Sequence, residues 1–338
     1  MNQPNPSTAP HPLDAAFSAH TVLSTDYPPV EFTVPGLVPE GLTLLVASPK
    51  IGKSWFVLGL AVACVTGGYA LGSLKVAQRP VLYLALEDGP RRLKSRLNKL
   101  GVSEPDDAYY RLTFLVDLTD SSVDSAMREF LTANGAQKPL IILDTLGRAR
   151  GVHTGNDAYG KDYNDLARLK RHVDSYPGSS LIVVHHTNKR SGDEDFLGAI
   201  SGTQGLAGAA DSTLMIRRDR RKGQARLQVT SREIPEGEYA VTFENGYWNL
   251  VGHDLKEAAA AARESEQMGV LGDLQTRILE HLHKYPEPHR PKDIAVALGE
   301  DPEKVGTYIR RLSETGRIQK KERGKYAALP EPDLLDEM

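Results

Sequence analysis

A glycine, a lysine and a serine follow one another at the end of Ala47-Ser48-Pro49-Lys50-Ile51-Gly52-Lys53-Ser54, between two apolar runs. The pattern is that of the phosphate loop, G-x-x-x-x-G-K-[ST], with alanine in place of the first glycine. Residues 42–46 have the texture of a short buried strand, and 55–65 that of a buried helix, so the loop sits at a strand-to-helix turn. In such a turn the backbone N–H groups and the positive end of the helix form a nest for the β-phosphate of a nucleoside triphosphate. Lys53 is placed to bridge the β- and γ-phosphates and the Ser54 hydroxyl to bind Mg²⁺. Ala47, Ser48, Pro49, Lys50, Ile51, Gly52 and Trp55 line the same site. A chance Gly-Lys-Ser at a helix start is the bland alternative; the strand before it and the helix after it argue against that. ATP and Mg²⁺ are the implied ligands.

Further polar residues end apolar runs in the way such a site requires. Asp144 closes 139–143 and is expected to help hold the Mg²⁺ shell. Thr145, not a glutamate, follows it, so the base that activates the attacking water must come from elsewhere. Glu87, at the end of 81–86, is the expected base, with Asp88 beside it as the cap of a helix starting near Pro90. Residues 181–184 run into His185 and His186. Neighbouring strand residues point to opposite faces, which argues against one metal held by both and for a sensor of the γ-phosphate, His186 ahead of His185. The segment 187–205 is either a solvated connection or a loop that touches nucleic acid, with Lys189 and Arg190 as its contacts. Arg217 and Arg218 follow the apolar run 213–216; Arg218 is expected to act as an arginine finger toward a neighbouring subunit, against the alternative of a solvated basic hairpin.

These residues need a scaffold that brings strand ends together. From about 36 to 250 short apolar runs alternate with amphipathic stretches, the signature of an α/β domain with a mostly parallel sheet. Strands are predicted at 42–46, 81–86, 112–116, 140–144, 181–185 and 213–216, and helices at 53–66, 90–100, 122–134 and 160–175. Residues 225–250 read as antiparallel strands with a turn at Glu244-Asn245-Gly246. Residues 1–26 read as a disordered tail, 27–252 as the ATPase domain, and 253–269 as a partly helical linker. The net charge of −3 gives no overall attraction to nucleic acid, so contacts with DNA must be local. The lone cysteine, Cys64, has no internal disulfide partner and reads as a core residue. No signal-like segment or membrane-length apolar run occurs, so a cytoplasmic protein is expected.

From 270 to 329 the pattern changes to three helix-spaced segments and an alternating run around Arg323-Gly324: a winged helix-turn-helix domain, followed by an acidic tail, 330–338. Asp301-Pro302 starts its third helix, whose Val305, Ile309 and Leu312 share one face. Lys304, Tyr308 and Arg311 are assigned to the opposite face, and Lys320, Lys321 and Arg323 to the wing, as candidate contacts to duplex DNA. Over 271–329 there are 12 Lys and Arg against 9 Asp and Glu, a modest excess that leaves protein docking open.

The order of phosphate loop, Glu87, Asp144, strand-end histidine and late arginine pair resembles the RecA-like core of hexameric helicases. The phrases ASPKIGKSW, VLYLALEDGPRRLKSRL and IVVHHTNK are most similar to the RepA-type replicative helicases of plasmids and phages and the ATPases grouped with them. The resemblance covers about 30–250. It implies ATP bound between the subunits of a homo-oligomeric, hexameric ring whose central loops grip single-stranded DNA. Lys53, Ser54, Glu87, Asp144, His186 and Arg218 become the implied active site. Related ATPases act as loaders or regulators, so unwinding is not implied by the family alone.

Overall fold

The computed structural model describes residues 16–102, 107–116, 118, 120–149, 158–186, 204–218, 224–322 and 324–329. A short helix, α1 (Ala19–Ser24), precedes a small pair, β1 (Phe32–Val34) and β2 (Val38–Pro39). The phosphate-loop strand β3 (Gly41–Ala47) leads into α2 (Lys53–Thr66). After the small pair β4 (Tyr69–Ala70) and β5 (Leu74–Lys75) come β6 (Val81–Ala85), α3 (Pro90–Lys99), β7 (Leu112–Leu115), α4 (Asp120–Asn134) and β8 (Leu140–Asp144). Helices α5 (Leu146–Ala149) and α6 (Ala158–Asp174), strand β9 (Ser180–His186), α7 (Gln204–Ala209) and β10 (Ser212–Arg218) follow. Strands β11 (Gln224–Ser231), β12 (Gly237–Glu244) and β13 (Tyr247–Leu250) close the core.

Nine of these strands form one sheet in the order β13-β12-β11-β10-β3-β9-β8-β6-β7. From β10 to β7 every pairing is parallel, and β10 to β13 form an antiparallel extension. All residues of β3, β6 and β8 are buried, as expected for strands covered on both faces. Alternation along β3 divides the core into two layers. Leu42, Leu44 and Val46 pack with Met127, Leu131 and Leu166 on one face, and Leu45 and Ala47 with Phe56 and Leu60 of α2 on the other. Register then decides where the site lies. Ala47 is level with His186 on β9 and with Ile216 on β10, while Ala85 is level with Asp144. The strand ends expected to carry chemistry therefore meet along one edge of the sheet.

The remaining elements follow their local signals. Helix α2 starts from Gly52 at φ 114° and ends at Gly67 at φ 63°, two positions where glycine tolerates a left-handed backbone. The predicted turn between β12 and β13 places Asn245 and Gly246 at φ 52° and 96°, the sign required of a tight hairpin.

Three expectations need correction. Residues 19–24, assigned to a disordered tail, form α1, capped by the Ser18 hydroxyl, with no buried residue; 1–15 lie outside the described residues. The segment 253–269, expected to be a partly helical linker, is helical from Leu255 onward and forms the start of one continuous helix, α8 (Leu255–Lys284). Ala258 and Ala262 are buried along it, and Ala258 joins the core cluster of the nine-stranded sheet, so its alanines pack as well as connect. Asp88 does not cap α3, whose N-cap is Gly89; it pairs instead with Arg92 at 2.8 Å and with Arg96.

Beyond α8 lie α9 (Pro291–Leu298), α10 (Pro302–Glu314) and the hairpin β14 (Ile318–Glu322) and β15 (Lys325–Ala328). Asp301 caps α10 by accepting from the amides of Glu303 and Lys304 at 3.0 and 2.9 Å. Leu274, Ile278 and Leu282 of α8 share a separate core with Ile294, Val305, Ile309, Leu312 and Ile318. An antiparallel bridge between His289 and Tyr326 adds a third short strand segment to the hairpin. Among the described residues no helix is long and apolar enough to cross a membrane.

Candidate active site

The edge where β3, β9, β8 and β6 end gathers five of the expected residues. Lys53 is buried, and its ammonium donates to the carbonyls of Ala47 at 2.7 Å and Ser48 at 3.1 Å. The same nitrogen lies 2.8 Å from Nδ1 of His186. The other ring nitrogen, Nε2, faces Glu87 Oε1 at 3.6 Å. Glu87 Oε1 also accepts from the Thr145 hydroxyl at 2.9 Å. Lysine, histidine, glutamate and threonine thus form one polar chain across the strand ends. His185 belongs to the same strand end, one residue back.

Asp144 lies beneath this chain, 2% exposed, and accepts from the Tyr83 hydroxyl at 2.7 Å through Oδ2. Its Oδ1 is buried without a hydrogen-bond partner among the described residues. Burial lifts the Asp144 carboxyl above the usual range, hydrogen bonds from Tyr83 and Ser54 oppose that, and the charges of Glu87 and Asp88 add to it. A buried carboxylate oxygen left over beside a serine hydroxyl is a hard-oxygen donor set, and it fits a Mg²⁺ ion. Tyr83 is fully buried, and desolvation with the Asp144 charge pushes its hydroxyl well above the usual phenol range, so it remains a donor.

Lys53 shows the electrostatic tension of the site. Burial pushes its ammonium down to about 8, while the carboxylates of Asp144 and Glu87 pull it upward. An incoming phosphate would supply the negative charge that burial otherwise denies it.

Around the loop, Lys50 stands at φ 64° and Gly52 at φ 114°. Trp55 lies under the guanidinium of Arg96 and the ammonium of Lys99, 5.3 and 6.0 Å from its ring, and close beneath the hairpin glycine Gly246. Ile51 is buried, whereas Ser48, Pro49 and Lys50 are exposed on the loop.

Arg218 lies two residues beyond Ile216, which is level with Ala47, and so reaches the same edge. Its guanidinium rests over the Phe243 ring, 5.1 Å from the centroid, rather than on the loop lysine. Its Nε is buried with no hydrogen-bond partner among the described residues. Arg217 is engaged with Met215 Sδ at 3.4 Å. Lys189, Arg190 and Arg323 lie outside the described residues.

In the C-terminal module Tyr308 is misplaced by the sequence reading. It is 4% exposed and packs in the core with Val305, Ile309 and Leu312, so it offers no surface to DNA. The apolar stripe of α10 is one residue wider than its spacing suggested. Arg311, Lys320 and Lys321 are exposed as expected, and Lys304 is half-buried with its ammonium 4.0 Å from Glu300.

Two participants escaped the sequence reading. Tyr83 is an inner residue of a uniformly apolar strand, and Trp248, whose indole N–H donates to the Gly52 carbonyl at 3.0 Å, lies on a hairpin 196 residues along the chain from that loop residue. No local signal marks either.

Comparison with known proteins agrees with this architecture. The family model described as "AAA domain" matches residues 7–192, more than half of the chain, and the chain belongs to that family. Among solved structures, one described as an "ATPase Domain" is similar with a TM-score of 0.50 at 14% identity, over 63% of this chain and 85% of that one. "The Structure Of A DnaB-Like Replicative Helicase And Its Interactions With Primase" is similar with a TM-score of 0.50 at 13% identity. That match covers 63% of this chain but only 57% of the other. At these identities the likeness concerns the fold: a large, mostly parallel sheet of the kind found in the ATPase domains of such helicases.

Proposed function

We propose that this member of the AAA-domain family is a Mg²⁺-dependent ATP hydrolase of the RecA-like, RepA-like type that acts on DNA. It works as a ring-forming replicative helicase or DNA-remodelling motor of a phage, plasmid or other mobile element. The single observation that carries the reading is the convergence of Lys53, Ser54, Glu87, Asp144 and His186 on one sheet edge. Loop amides and Lys53 bind and orient the triphosphate. Glu87, held by Thr145 and facing His186, is placed to take a proton from the attacking water. Ser54 and Asp144 would hold a Mg²⁺ ion, which when bound would supply charge neutralisation at the phosphates. His186, bonded to Lys53 in the free protein, is positioned to sense the γ-phosphate. Arg218 is assigned the finger that completes a neighbour's site across a homo-oligomeric, hexameric ring, and single-stranded DNA is the substrate of its central loops.

The C-terminal module supports a second reading. Three helices followed by a hairpin, with a short bridge at His289 between the first and second, is the order of a winged helix. Exposed Arg311, Lys320 and Lys321 suit duplex contact. An ATP-switched DNA-binding regulator or helicase loader would use such a module with little unwinding. Molecular mass with and without ATP and single-stranded DNA, alongside ATPase rates, separates the two. The motor reading predicts a ring and DNA-stimulated hydrolysis; slow turnover with tight duplex binding favours the switch, and no hydrolysis under any condition overturns the enzyme reading.

A further inference from the structure

The antiparallel extension of the sheet returns to the phosphate loop through one side chain. Trp248 lies on β13, the edge strand, yet is only 5% exposed. Its indole Nε1 donates to the Gly52 carbonyl at 3.0 Å. The same oxygen accepts the Phe56 amide at 3.0 Å, a bond of the first turn of α2. The indole is fixed from two sides, by Phe243 with ring centroids 4.9 Å apart and by Phe56, edge-on, at 6.0 Å. A Cβ at Gly52 would come within 3.3 Å of Trp248 Nε1 and 3.4 Å of Phe243.

Gly52 is the conformationally freest residue of the loop and stands at φ 114°. Its carbonyl and the Lys53 amide belong to one planar peptide unit, so holding the oxygen also fixes the direction of that N–H. The Lys53 N–H is one of the donors a phosphate nest needs. A rotation of this unit would turn the donor away and unseat Lys53 and Ser54 together.

We propose that Trp248 is a positioning residue for the phosphate loop: its N–H pins the Gly52 carbonyl and sets the loop for nucleotide before nucleotide arrives. The inference rests on the reading of 47–54 as a phosphate loop and adds to it a holding group from outside the loop. Preorganisation of this kind strengthens binding by removing the ordering cost at the moment of association.

The test compares ATP binding by full-length wild type and Trp248→Phe, using calorimetry together with steady-state rates. Phenylalanine keeps a ring in the stack and removes only the donor. The Kd should rise about three- to tenfold, the effect of one neutral hydrogen bond, with kcat changed less than about twofold. Equal affinities in the two proteins overturn the proposal. A wild type that binds no nucleotide overturns the phosphate-loop reading and this inference with it, an outcome distinct from equal binding. A second measurement does not depend on the folding of that variant. The chain has 2 tryptophans, so Trp55→Phe leaves Trp248 as the sole emitter. Its emission should already be that of a buried, hydrogen-bonded indole in the nucleotide-free protein and should shift little on adding ATP at concentrations that calorimetry shows to saturate; a large ATP-dependent shift, which would mean that the indole is seated only by nucleotide, overturns the proposal.

Discussion

The ammonium of Lys53 rests 2.8 Å from Nδ1 of His186, so the group that should meet a phosphate is held by the group that should sense it. A nucleotide phosphate would compete for this ammonium with His186 and with the carbonyls of Ala47 and Ser48. His186 faces Glu87 through its other ring nitrogen. Occupancy of the loop and the geometry around the expected base are linked in this way through two side chains.

Lys53→Ala removes the loop side chain placed to bridge the phosphates. ATP affinity is expected to fall at least about a hundredfold, as for the loss of a charge-assisted contact at a desolvated site. Calorimetry on the purified variant checks this, with thermal melting to show that it folds. Retained ATPase activity would refute the assignment of the loop.

The pH dependence follows from the depressed Lys53. Its folded value is about 8 against an ordinary 10.5, so between them the unfolded chain carries more protons. Its contribution to the stability of the nucleotide-free protein therefore rises from about pH 8 to about pH 10.5, and below pH 8 the cost of burying the ammonium is fully felt. Binding behaves in the opposite sense, because phosphate needs the charged form. The ATP Kd should be level near neutrality and weaken above about pH 8. Near that pH, binding should take up protons, as calorimetry in buffers of different ionisation enthalpy would show.

Tyr83→Phe deletes the 2.7 Å hydrogen bond that Asp144 Oδ2 accepts, at a carboxylate whose Oδ1 is already without a partner among the described residues. A loss of about 1–3 kcal/mol in stability is expected, the usual cost of a buried group left unpaired. The Mg²⁺ concentration needed for half-maximal nucleotide binding should shift as well. Chemical denaturation measures the first effect, and a Mg²⁺ titration of nucleotide binding the second.

How far these relationships were legible in the sequence differs by kind. Buried parallel strands announce themselves as apolar runs, and their polar end residues stand out, so Lys53, Glu87, Asp144 and His186 were all legible as strand- or loop-end groups. Parallel register then aligns those ends without further information. Tyr83 and Trp248 were illegible because their meaning lies in tertiary contacts: one aims across to a neighbouring strand, the other across the sheet to the loop. Tyr308 was misread because its helix buries a face wider than three apolar positions, and a tyrosine counts equally well as core or surface. The alanines of 253–269 carry too little apolar contrast to show that Ala258 packs into the core.

Arg218 stacks on Phe243, which in turn stacks on Trp248. The finger role predicts complementation. Arg218→Ala and Glu87→Gln subunits, each inactive alone, should regain part of their hydrolysis when mixed. Phosphate release across mixing ratios reads this out, and its absence at every ratio counts against a finger acting on a neighbour.

The most direct test of the account is hydrolysis by Glu87→Gln, with ATP binding measured on the same preparation. Glutamine keeps the size of the side chain and an acceptor for Thr145 but cannot take the proton from water. The account predicts ATP affinity within a few-fold of wild type and phosphate release slower by about 10²–10⁴, the usual contribution of a positioned base. A Glu87→Gln protein that hydrolyses ATP at the wild-type rate would contradict it.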